Sequence, residues 1–183
     1  MVDAASFRKR MYDLQNEANR DPLTGLFNRR GFQNALAAID IVDLPIAMCI
    51  FDLDDLKNVN DTYGHQKGDQ ALQCFSKLLC CQTRSGDVKC RYGGDEFVVV
   101  LKNIGDAETA RQKAETICRL FHESGVGEQY STACSVGIAF CDSEKELSTK
   151  LFEHADQALY RAKEKNKGGC CVWKEEEINA KRF

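Results

Sequence analysis

The fold is decided by the stretch VKCRYGGDEFVVVLK, residues 88–102. Segments rich in β-branched and apolar residues flank Gly93-Gly94, and glycines readily adopt the positive φ angles of a tight turn. Residues 88–92 and 96–102 are therefore predicted to form a β-hairpin. Bare backbone at its tip would let a phosphate approach closely, and Asp95 and Glu96 could bind metal ions. The alternative is a hairpin turn with no further role.

Helix and strand patterns alternate on both sides of this hairpin. Apolar residues at helical spacing predict helices, and continuous apolar runs predict buried strands. The predicted helices cover residues 32–39, 71–79, 110–121 and 147–162, and the other predicted strands cover residues 46–52, 132–140 and 170–173. This mixed order with a hairpin inside it favours an α+β fold, with helices packed on a sheet, over a doubly wound parallel fold.

The chain is predicted to hold one compact domain. Residues 1–20 carry a helical stripe of apolar side chains among charges, and Asp21-Pro22 stops this pattern because proline disfavours helix at the preceding residue. We therefore expect a connector helix over residues 1–20, the domain over residues 21–176 and a charged tail over residues 177–183.

Composition excludes several classes of protein. The 183 residues are 43% hydrophobic and 29% charged, with a formal net charge of −3, which gives no general positive field for a nucleic-acid backbone. No segment approaches the roughly 20 apolar residues of a membrane-spanning helix, and the N-terminus is too polar for a signal peptide. We expect no membrane segment in this chain, no nucleic-acid polymer as a partner and a cytoplasmic location.

Ten cysteines are present, and no pair has C-x-x-C spacing. Disulfide frameworks are typical of small secreted domains that lack a core, which this chain does not resemble. Most of the cysteines lie in apolar runs, so reduced, structurally ordinary thiols are expected, and a zinc site is the alternative.

Three carboxylates follow an apolar run in Phe51-Asp52-Leu53-Asp54-Asp55. Carboxylates gathered at the end of a buried strand repel one another unless a cation lies among them, and Mg²⁺ is bound through carboxylate oxygens. A magnesium site and a solvated turn with a capping aspartate are the two interpretations of this segment.

A polar stretch over residues 57–69 precedes the predicted helix at residues 71–79. It holds hydrogen-bond donors and acceptors that could recognise a polar ring, and Lys57 could bind a phosphate. The alternative is a glycine-punctuated loop with a capping aspartate.

Eight motifs follow one another along the chain. They are DPLTGL at 21–26, NRR at 28–30, FDLD at 51–54, NDTYGH at 60–65, GD at 68–69, RYGGDEF at 91–97, SVGIA at 135–139 and ADQALY at 155–160. In this order they resemble the GGDEF family of diguanylate cyclases, over about residues 21–173. The resemblance implies a palm-like central sheet of the ferredoxin-like or nucleotidyl-cyclase type, mostly antiparallel and flanked by helices.

The resemblance also implies a reaction. Two GTP molecules would be joined into cyclic di-GMP with release of two pyrophosphates, by two subunits that each hold one GTP and face each other as a homodimer. Asp52 and Asp95 would hold Mg²⁺, or Mn²⁺ in its place, with help from the Leu53 carbonyl. Glu96 would lie beside the 3′-hydroxyl, as a metal ligand or as the group that helps remove its proton.

Further site residues carry over by position. The implied substrate contacts are Asn60 and Asp69 for guanine, Lys57, Lys163 and Lys167 for phosphates, and Gly93 and Gly94 in the hairpin. Lys167 stands in for an arginine that the family usually has there. A carboxylate can accept hydrogen bonds from both N1–H and the 2-amino group of guanine, so Asp69 favours GTP over ATP.

A product-binding site is implied just before the hairpin. Arg84-Ser85-Gly86-Asp87 stands where the family has its inhibitory Arg-x-x-Asp site. The guanidinium can grip phosphate or guanine and the carboxylate can hold the base edge, whereas the alternative is a surface ion pair.

Two other functions compete with an active cyclase. One is a catalytically idle receptor that binds GTP or cyclic di-GMP and signals through partners. The other is an RNA-binding sheet, which the negative net charge and the valines at residues 98–100 disfavour. We also expect an upstream sensory domain, joined through residues 1–20.

Overall fold

The computed structural model describes residues 17–143, 150–165 and 167–174, together with residues 6, 10 and 11. The helices are α1 (Arg29–Ala37), α2 (Leu56–Tyr63), α3 (His65–Gln82), α4 (Ala107–His122), α5 (Gly125–Tyr130) and α6 (Lys150–Lys165), with a 3-10 turn at Ile41–Asp43. The strands are β1 (Ile46–Asp54), β2 (Val88–Arg91), β3 (Glu96–Leu101), β4 (Ala133–Cys141) and β5 (Cys170–Val172).

One five-stranded sheet organises the fold, in the order β2-β3-β1-β4-β5. β1 is antiparallel to both β3 and β4, β2 and β3 form the predicted hairpin, and β4 and β5 are parallel. All nine residues of β1 are buried, as expected for a central strand that reads as a continuous apolar run. The predicted mostly antiparallel α+β sheet is confirmed.

Each face of the sheet is covered by a helical layer. On one face, the Phe75 ring of α3 contacts three other rings, those of Phe51, Phe97 and Phe121, with centroids 5.6, 4.9 and 5.2 Å away. On the other face, α1 and α6 bury Phe32, Leu151 and Leu159 against the sheet. Alternation along β1 places Asp52 on the second face, because side chains two residues apart point the same way.

α6 lies unusually close to the sheet, at Gly137 of β4. A Cβ atom on Gly137 would fall 2.1 Å from the Leu159 backbone nitrogen and 2.2 Å from the Ala155 carbonyl oxygen. Glycine is therefore required at this position for α6 to pack so near β4.

The stretch at residues 57–69 differs from the loop considered from the sequence. Residues 56–63 form α2, and α3 begins at His65. Gly64, with φ of +86°, separates the two helices, while Leu56 and Val59 anchor α2 in the core. Three-residue apolar spacing holds this short helix in place although most of its side chains are polar.

Both predicted chain ends lie largely outside the described residues. Of the predicted connector over residues 1–20, the described residues 6, 10, 11, 17 and 18 are helical. The Asn28 side chain donates hydrogen bonds to the carbonyls of Ala18 and Arg20 at 3.0 and 3.2 Å. The predicted tail over residues 177–183 is outside the described part of the chain. None of the helices among the described residues has the length and apolar content needed to cross a bilayer.

All ten cysteines lie among the described residues, where none forms a disulfide, and five of them are buried. Cys118 and Cys134 touch, with their Sγ atoms 3.3 Å apart. Burial raises the pKa of Cys90 and of Cys170 to about 12, so both thiols stay protonated at neutral pH.

Candidate active site

Acidic residues meet where β1 ends and β3 begins. Because the two strands are antiparallel, Asp52 pairs with Glu96 across the ladder. The Leu53 backbone N–H donates to the Asp95 carbonyl oxygen at 3.1 Å, which extends the pairing toward the turn. Sheet register therefore brings together, at one edge of the molecule, four residues from two separate motifs: Asp52, Leu53, Asp95 and Glu96. We call this cluster the acidic edge.

The acidic edge contains three carboxylates, and among the described residues a single lysine, Lys163, forms an ion pair with one of them. Asp52 Oδ1 lies 2.7 Å from Lys163 Nζ, and the Asp52 side chain is 12% exposed. Burial raises the pKa of Asp52, and Lys163 reverses only part of that rise. Burial also raises the pKa of Glu96, and repulsion from Asp52 and Asp95 raises it further. The protein thus holds carboxylates together at an electrostatic cost.

Such a set of carboxylates fits a divalent cation. Oxygen-only donors suit Mg²⁺ or Mn²⁺, and a cation would relieve the repulsion that raises the pKa of Glu96. Among the described residues, no three His, Cys, Asp or Glu side chains already surround one metal position. Asp52, Asp95 and Glu96 are therefore candidate ligands that must close around an ion, while Lys163 holds the place beside Asp52.

The hairpin tip is fixed by hydrogen bonds to Glu96 and Gly94. The backbone N–H groups of Tyr92 and Gly93 donate to the Glu96 carbonyl at 2.8 and 3.3 Å. The Arg91 guanidinium donates to the Gly94 carbonyl at 2.8 Å from Nη2 and 3.2 Å from Nε. A Cβ on Gly93 would fall 2.9 Å from Glu96 Oε2, so a glycine here leaves room for the Glu96 carboxylate.

Arg91 also ties the hairpin to a distant turn. Its Nη1 lies 3.3 Å from Asp21 Oδ2, and the two side chains are 16% and 17% exposed. Asp21 Oδ1 in turn accepts hydrogen bonds from the backbone N–H and the hydroxyl of Thr24, at 2.9 and 2.7 Å. Both residues lie within motifs of the sequence, but the ion pair between them was not predicted, because the two residues are 70 positions apart.

A cleft of about 450 Å³ opens beside the hairpin. Its lining residues are Leu56, Lys57, Asn60, Asp61, His65, Asp69, Leu72, Arg91, Gly94 and Asp95. The cleft thus joins Lys57, Asn60 and Asp69, predicted to contact the nucleotide, to the hairpin and to one carboxylate of the acidic edge. We call it the nucleotide cleft.

Asn60 is held in the nucleotide cleft by close packing on α3. A Cβ on Gly68 would fall 2.0 Å from Asn60 Oδ1, so the side chain of Asn60 lies directly against the Gly68 backbone. Gly64 ends α2 with its N–H donating to the Asn60 carbonyl at 2.9 Å. The two glycines set Asn60 next to Asp69 across the α2–α3 junction.

Three predicted site residues belong neither to the nucleotide cleft nor to the acidic edge. Lys167 Nζ lies 2.6 Å from Asp55 Oδ1, and Lys167 lines another cavity with Cys118 and Cys134. Arg84 is exposed at the surface, before β2. Asp87 is 7% exposed, and its carboxylate accepts hydrogen bonds from the backbone N–H groups of Arg84 and Lys102, at 2.7 and 3.0 Å.

Asp54 has a structural role that sequence reasoning did not assign. Its carboxylate accepts hydrogen bonds from the Ser135 hydroxyl at 2.9 Å and from the Gly168 backbone N–H at 2.9 Å. The Thr132 hydroxyl donates to the Asp54 carbonyl at 2.8 Å. Asp54 thereby joins β1, β4 and the segment after α6, and with 5% exposure it is buried, whereas the neighbouring Asp55 is exposed.

Comparison with known proteins places this arrangement in a family. Residues 18–169 match the family described as "Diguanylate cyclase, GGDEF domain". The chain is 38% identical over 176 residues to the cyclic di-GMP phosphodiesterase PdeR of Escherichia coli (strain K12), covering 94% of this chain and 26% of PdeR. It is 33% identical over 167 residues to the diguanylate cyclase DosC of the same strain, covering 87% of this chain and 36% of DosC. The chain therefore spans well under half of the length of either relative.

A solved structure shows the same fold. The coiled coil and GGDEF domain of DgcB from Caulobacter crescentus, in complex with c-di-GMP, aligns with a TM-score of 0.79 at 25% identity, covering 91% of each chain. The family resemblance drawn from the eight motifs is confirmed. This chain belongs to the GGDEF family of diguanylate cyclase domains.

Proposed function

We propose that this chain is an active diguanylate cyclase domain, which condenses two GTP molecules into cyclic di-GMP and releases two pyrophosphates. The observation that carries the proposal is the register of β1 and β3, which sets Asp52 opposite Glu96 and next to Asp95, the carboxylate that lines the nucleotide cleft. The diguanylate cyclase DosC, a relative 33% identical, supports it. Since GTP is a cytoplasmic nucleotide, the domain would work in the cytoplasm.

The nucleotide cleft would select guanine. Asp69 can accept hydrogen bonds from N1–H and the 2-amino group, and Asn60 can bond the remaining polar edge of the base. A site built on those donors rejects adenine, which would leave the Asp69 carboxylate unpaired. Lys57, in the same cleft, and Lys163, at the acidic edge, would bind the phosphates.

The acidic edge would carry the chemistry. Asp52 and Asp95, with the Leu53 carbonyl and Glu96, would hold Mg²⁺ or Mn²⁺, and a bound cation of this kind supplies charge stabilisation to the attacking and leaving oxygens. Glu96 would accept the proton of the 3′-hydroxyl as the 3′-oxygen bonds to the α-phosphorus of the other GTP. Pyrophosphate leaves as that bond forms, and the backbone of Gly93 and Gly94 gives the phosphates a close approach.

Cyclisation would require two copies of the chain. One half-site holds one GTP, and each GTP must be attacked by the 3′-hydroxyl of the other. Two half-sites facing each other in a homodimer satisfy this requirement, so the rate would depend on dimerisation.

Product inhibition would act through Arg84 and Asp87. The exposed guanidinium of Arg84 is available to a phosphate or to a guanine edge. Asp87 already accepts two backbone hydrogen bonds, so its contribution would use the remaining lone pairs of those oxygens.

A second candidate is a GGDEF domain that binds nucleotide without turnover, inside a longer protein. The 38% identity to PdeR, a cyclic di-GMP phosphodiesterase of which this chain spans 26%, is the observation in its favour. Such a domain would act as a regulator, and an upstream sensory segment would be one partner.

The two candidates separate in one pair of measurements. Purified chain is mixed with GTP and Mg²⁺, cyclic di-GMP and pyrophosphate are quantified by chromatography, and nucleotide affinity is measured by calorimetry. The cyclase proposal predicts both products in a 1:2 ratio, and their loss in Asp52→Asn. Tight GTP binding with no pyrophosphate at any protein concentration would instead establish the regulator.

A further inference from the structure

Lys163 forms an ion pair with Asp52, one of the candidate metal ligands. Its Nζ lies 2.7 Å from Asp52 Oδ1, within the distance of a charge-assisted hydrogen bond. The Lys163 side chain is 39% exposed while that of Asp52 is 12% exposed, so the lysine reaches from solvent into a mostly buried carboxylate. The lysine partner is therefore the movable member of this pair.

The same ammonium group acts on two carboxylates of the acidic edge. Lys163 lowers the pKa of Asp52 through a hydrogen bond and through its charge, and it also lowers the pKa of Glu96 through its charge, against the larger effect of burial at both residues. In the nucleotide-free protein Lys163 thus performs part of the neutralisation that a divalent cation would perform.

We propose that Lys163 is a built-in counter-ion of the nucleotide-free site, which competes with the divalent cation for Asp52 and moves to the triphosphate when nucleotide arrives. The inference rests on the proposed function, since it takes Asp52 as a metal ligand. A triphosphate carries several negative charges, so it gives Lys163 a new partner and adds oxygen ligands for the cation. One side chain thereby couples the two binding events.

The coupling has a defined thermodynamic form. A nucleotide that draws Lys163 away from Asp52 raises the affinity for metal, and by linkage the metal raises the affinity for nucleotide by the same factor. Metal alone binds weakly because it must displace Lys163. A lysine that served only as a phosphate ligand would leave metal binding to the nucleotide-free protein unchanged.

Manganese binding to the nucleotide-free chain tests this directly. Free Mn²⁺ is measured by electron paramagnetic resonance during titration of wild type, Lys163→Met and the matched control Lys57→Met, which removes a charge from the nucleotide cleft. Loss of a partly exposed ion pair predicts about two- to fivefold tighter Mn²⁺ binding in Lys163→Met. Lys57→Met is expected to bind Mn²⁺ as wild type does.

A double variant assigns the gain to Asp52. In Asp52→Asn the further change Lys163→Met is expected to add much less than it does in wild type, because the paired carboxylate is gone and only the charge effect of the lysine on Glu96 remains. Lys163→Met should also bind a GTP analogue with a methylene between the α- and β-phosphates less tightly in the presence of Mn²⁺. Opposite changes in the two affinities are the signature of the exchange.

The outcomes separate this inference from the proposed function. Equal Mn²⁺ affinity in wild type and Lys163→Met, or an equal gain in Lys57→Met, overturns the counter-ion role even if wild type makes cyclic di-GMP. Tighter Mn²⁺ binding in Lys163→Met, together with no cyclic di-GMP from wild type, supports the counter-ion and rejects the cyclase.

Discussion

At the scale of single residues, the nucleotide cleft contains two aspartates with different neighbours. Asp69 follows Gly68, on which the Asn60 side chain packs, whereas Asp61 lies on α2. Both line the cleft, but the proposed guanine contacts fall on Asn60 and Asp69. Substituting Asp61 and Asp69 in turn therefore compares the loss of one negative charge at two positions in the cleft.

Replacing Asp69 by Asn should weaken GTP binding by about 10- to 100-fold, because an amide cannot accept hydrogen bonds from both guanine donors as a carboxylate does. Calorimetry with Mg²⁺ and the non-reacting GTP analogue measures this change. Asp61→Asn is the control and should bind within a fewfold of wild type. Equal losses in the two variants would mean that Asp69 acts only through its charge.

Glu96 should limit the stability of the metal-free domain. Its pKa is raised above the ordinary 4.5 by burial first and by Asp52 and Asp95 next, so its ionised form is disfavoured in the folded state. A raised carboxyl pKa gives stability that is present at low pH and lost as the pH rises through that pKa. The metal-free wild type should therefore lose part of its stability above this pKa.

Glu96→Gln is expected to melt at a higher temperature than wild type at pH 8 in the presence of EDTA. The difference should shrink as the pH is lowered toward 4.5, where wild-type Glu96 becomes protonated. Thermal scans at several pH values measure this. A lower melting temperature of Glu96→Gln at pH 8 would contradict the electrostatic account of the acidic edge.

Which acids belong to the site could be predicted from sequence only in part. Asp52, Asp95 and Glu96 stood out because motifs at two strand ends fall together once the strands pair. Asp54 belongs to the same run of acids, yet it bonds Ser135 and Gly168, far away along the chain. A role that depends on partners far away along the chain cannot be recognised from the neighbouring sequence. The Asp21–Arg91 ion pair was not predicted for the same reason.

At the scale of elements, the hairpin and α6 each have a contact whose removal can be tested by substitution. The Arg91–Asp21 pair links the hairpin to the turn at residues 21–26. Gly137 sets the distance of α6 from β4 and thus the reach of Lys163. The strands were predicted well because apolar runs and the glycine turn are local, whereas α2 was missed because Leu56 and Val59 give it only a short apolar stripe.

Asp21→Asn should loosen the hairpin. The loss of a partly buried ion pair is expected to lower the free energy of unfolding by about 1 kcal/mol and to reduce cyclic di-GMP formation. Asp43→Asn is the matched control, since Asp43 pairs with Lys102 at 3.1 Å with similar exposure, 19% against 22%. Urea unfolding and turnover are measured for both. Equal loss of turnover in Asp43→Asn would show a general effect of stability.

Gly137→Ala should push α6 away from the sheet. Its Cβ would overlap backbone atoms of Leu159 and Ala155, which cannot move independently, so a cost of about 1–3 kcal/mol in unfolding free energy is expected. At Gly105 a Cβ would meet nothing within 4 Å, and Gly105→Ala should be nearly neutral. Denaturant midpoints compare the two. A neutral Gly137→Ala would contradict the close packing of α6.

At the scale of the whole molecule, one chain supplies one nucleotide cleft and one acidic edge. The family match over residues 18–169 and the fold both identify a GGDEF domain. The structural match to DgcB covers 91% of the chain. Fold and family could be predicted from the order of motifs along the sequence. The homodimer was expected from the family resemblance alone and stays a prediction, because the fold of a single chain does not show a half-site supplied by another copy.

The most direct test of the central claim is the rate of cyclic di-GMP formation from GTP and Mg²⁺, measured per mole of protein over a wide range of protein concentration. Wild type should show a specific rate that rises with concentration as dimers form, and Glu96→Gln should make no product under the same conditions. A Glu108→Gln control, altered on the exposed first turn of α4, should follow wild type. Cyclic di-GMP made by Glu96→Gln at the wild-type rate, or none made by wild type at any concentration, would contradict the account.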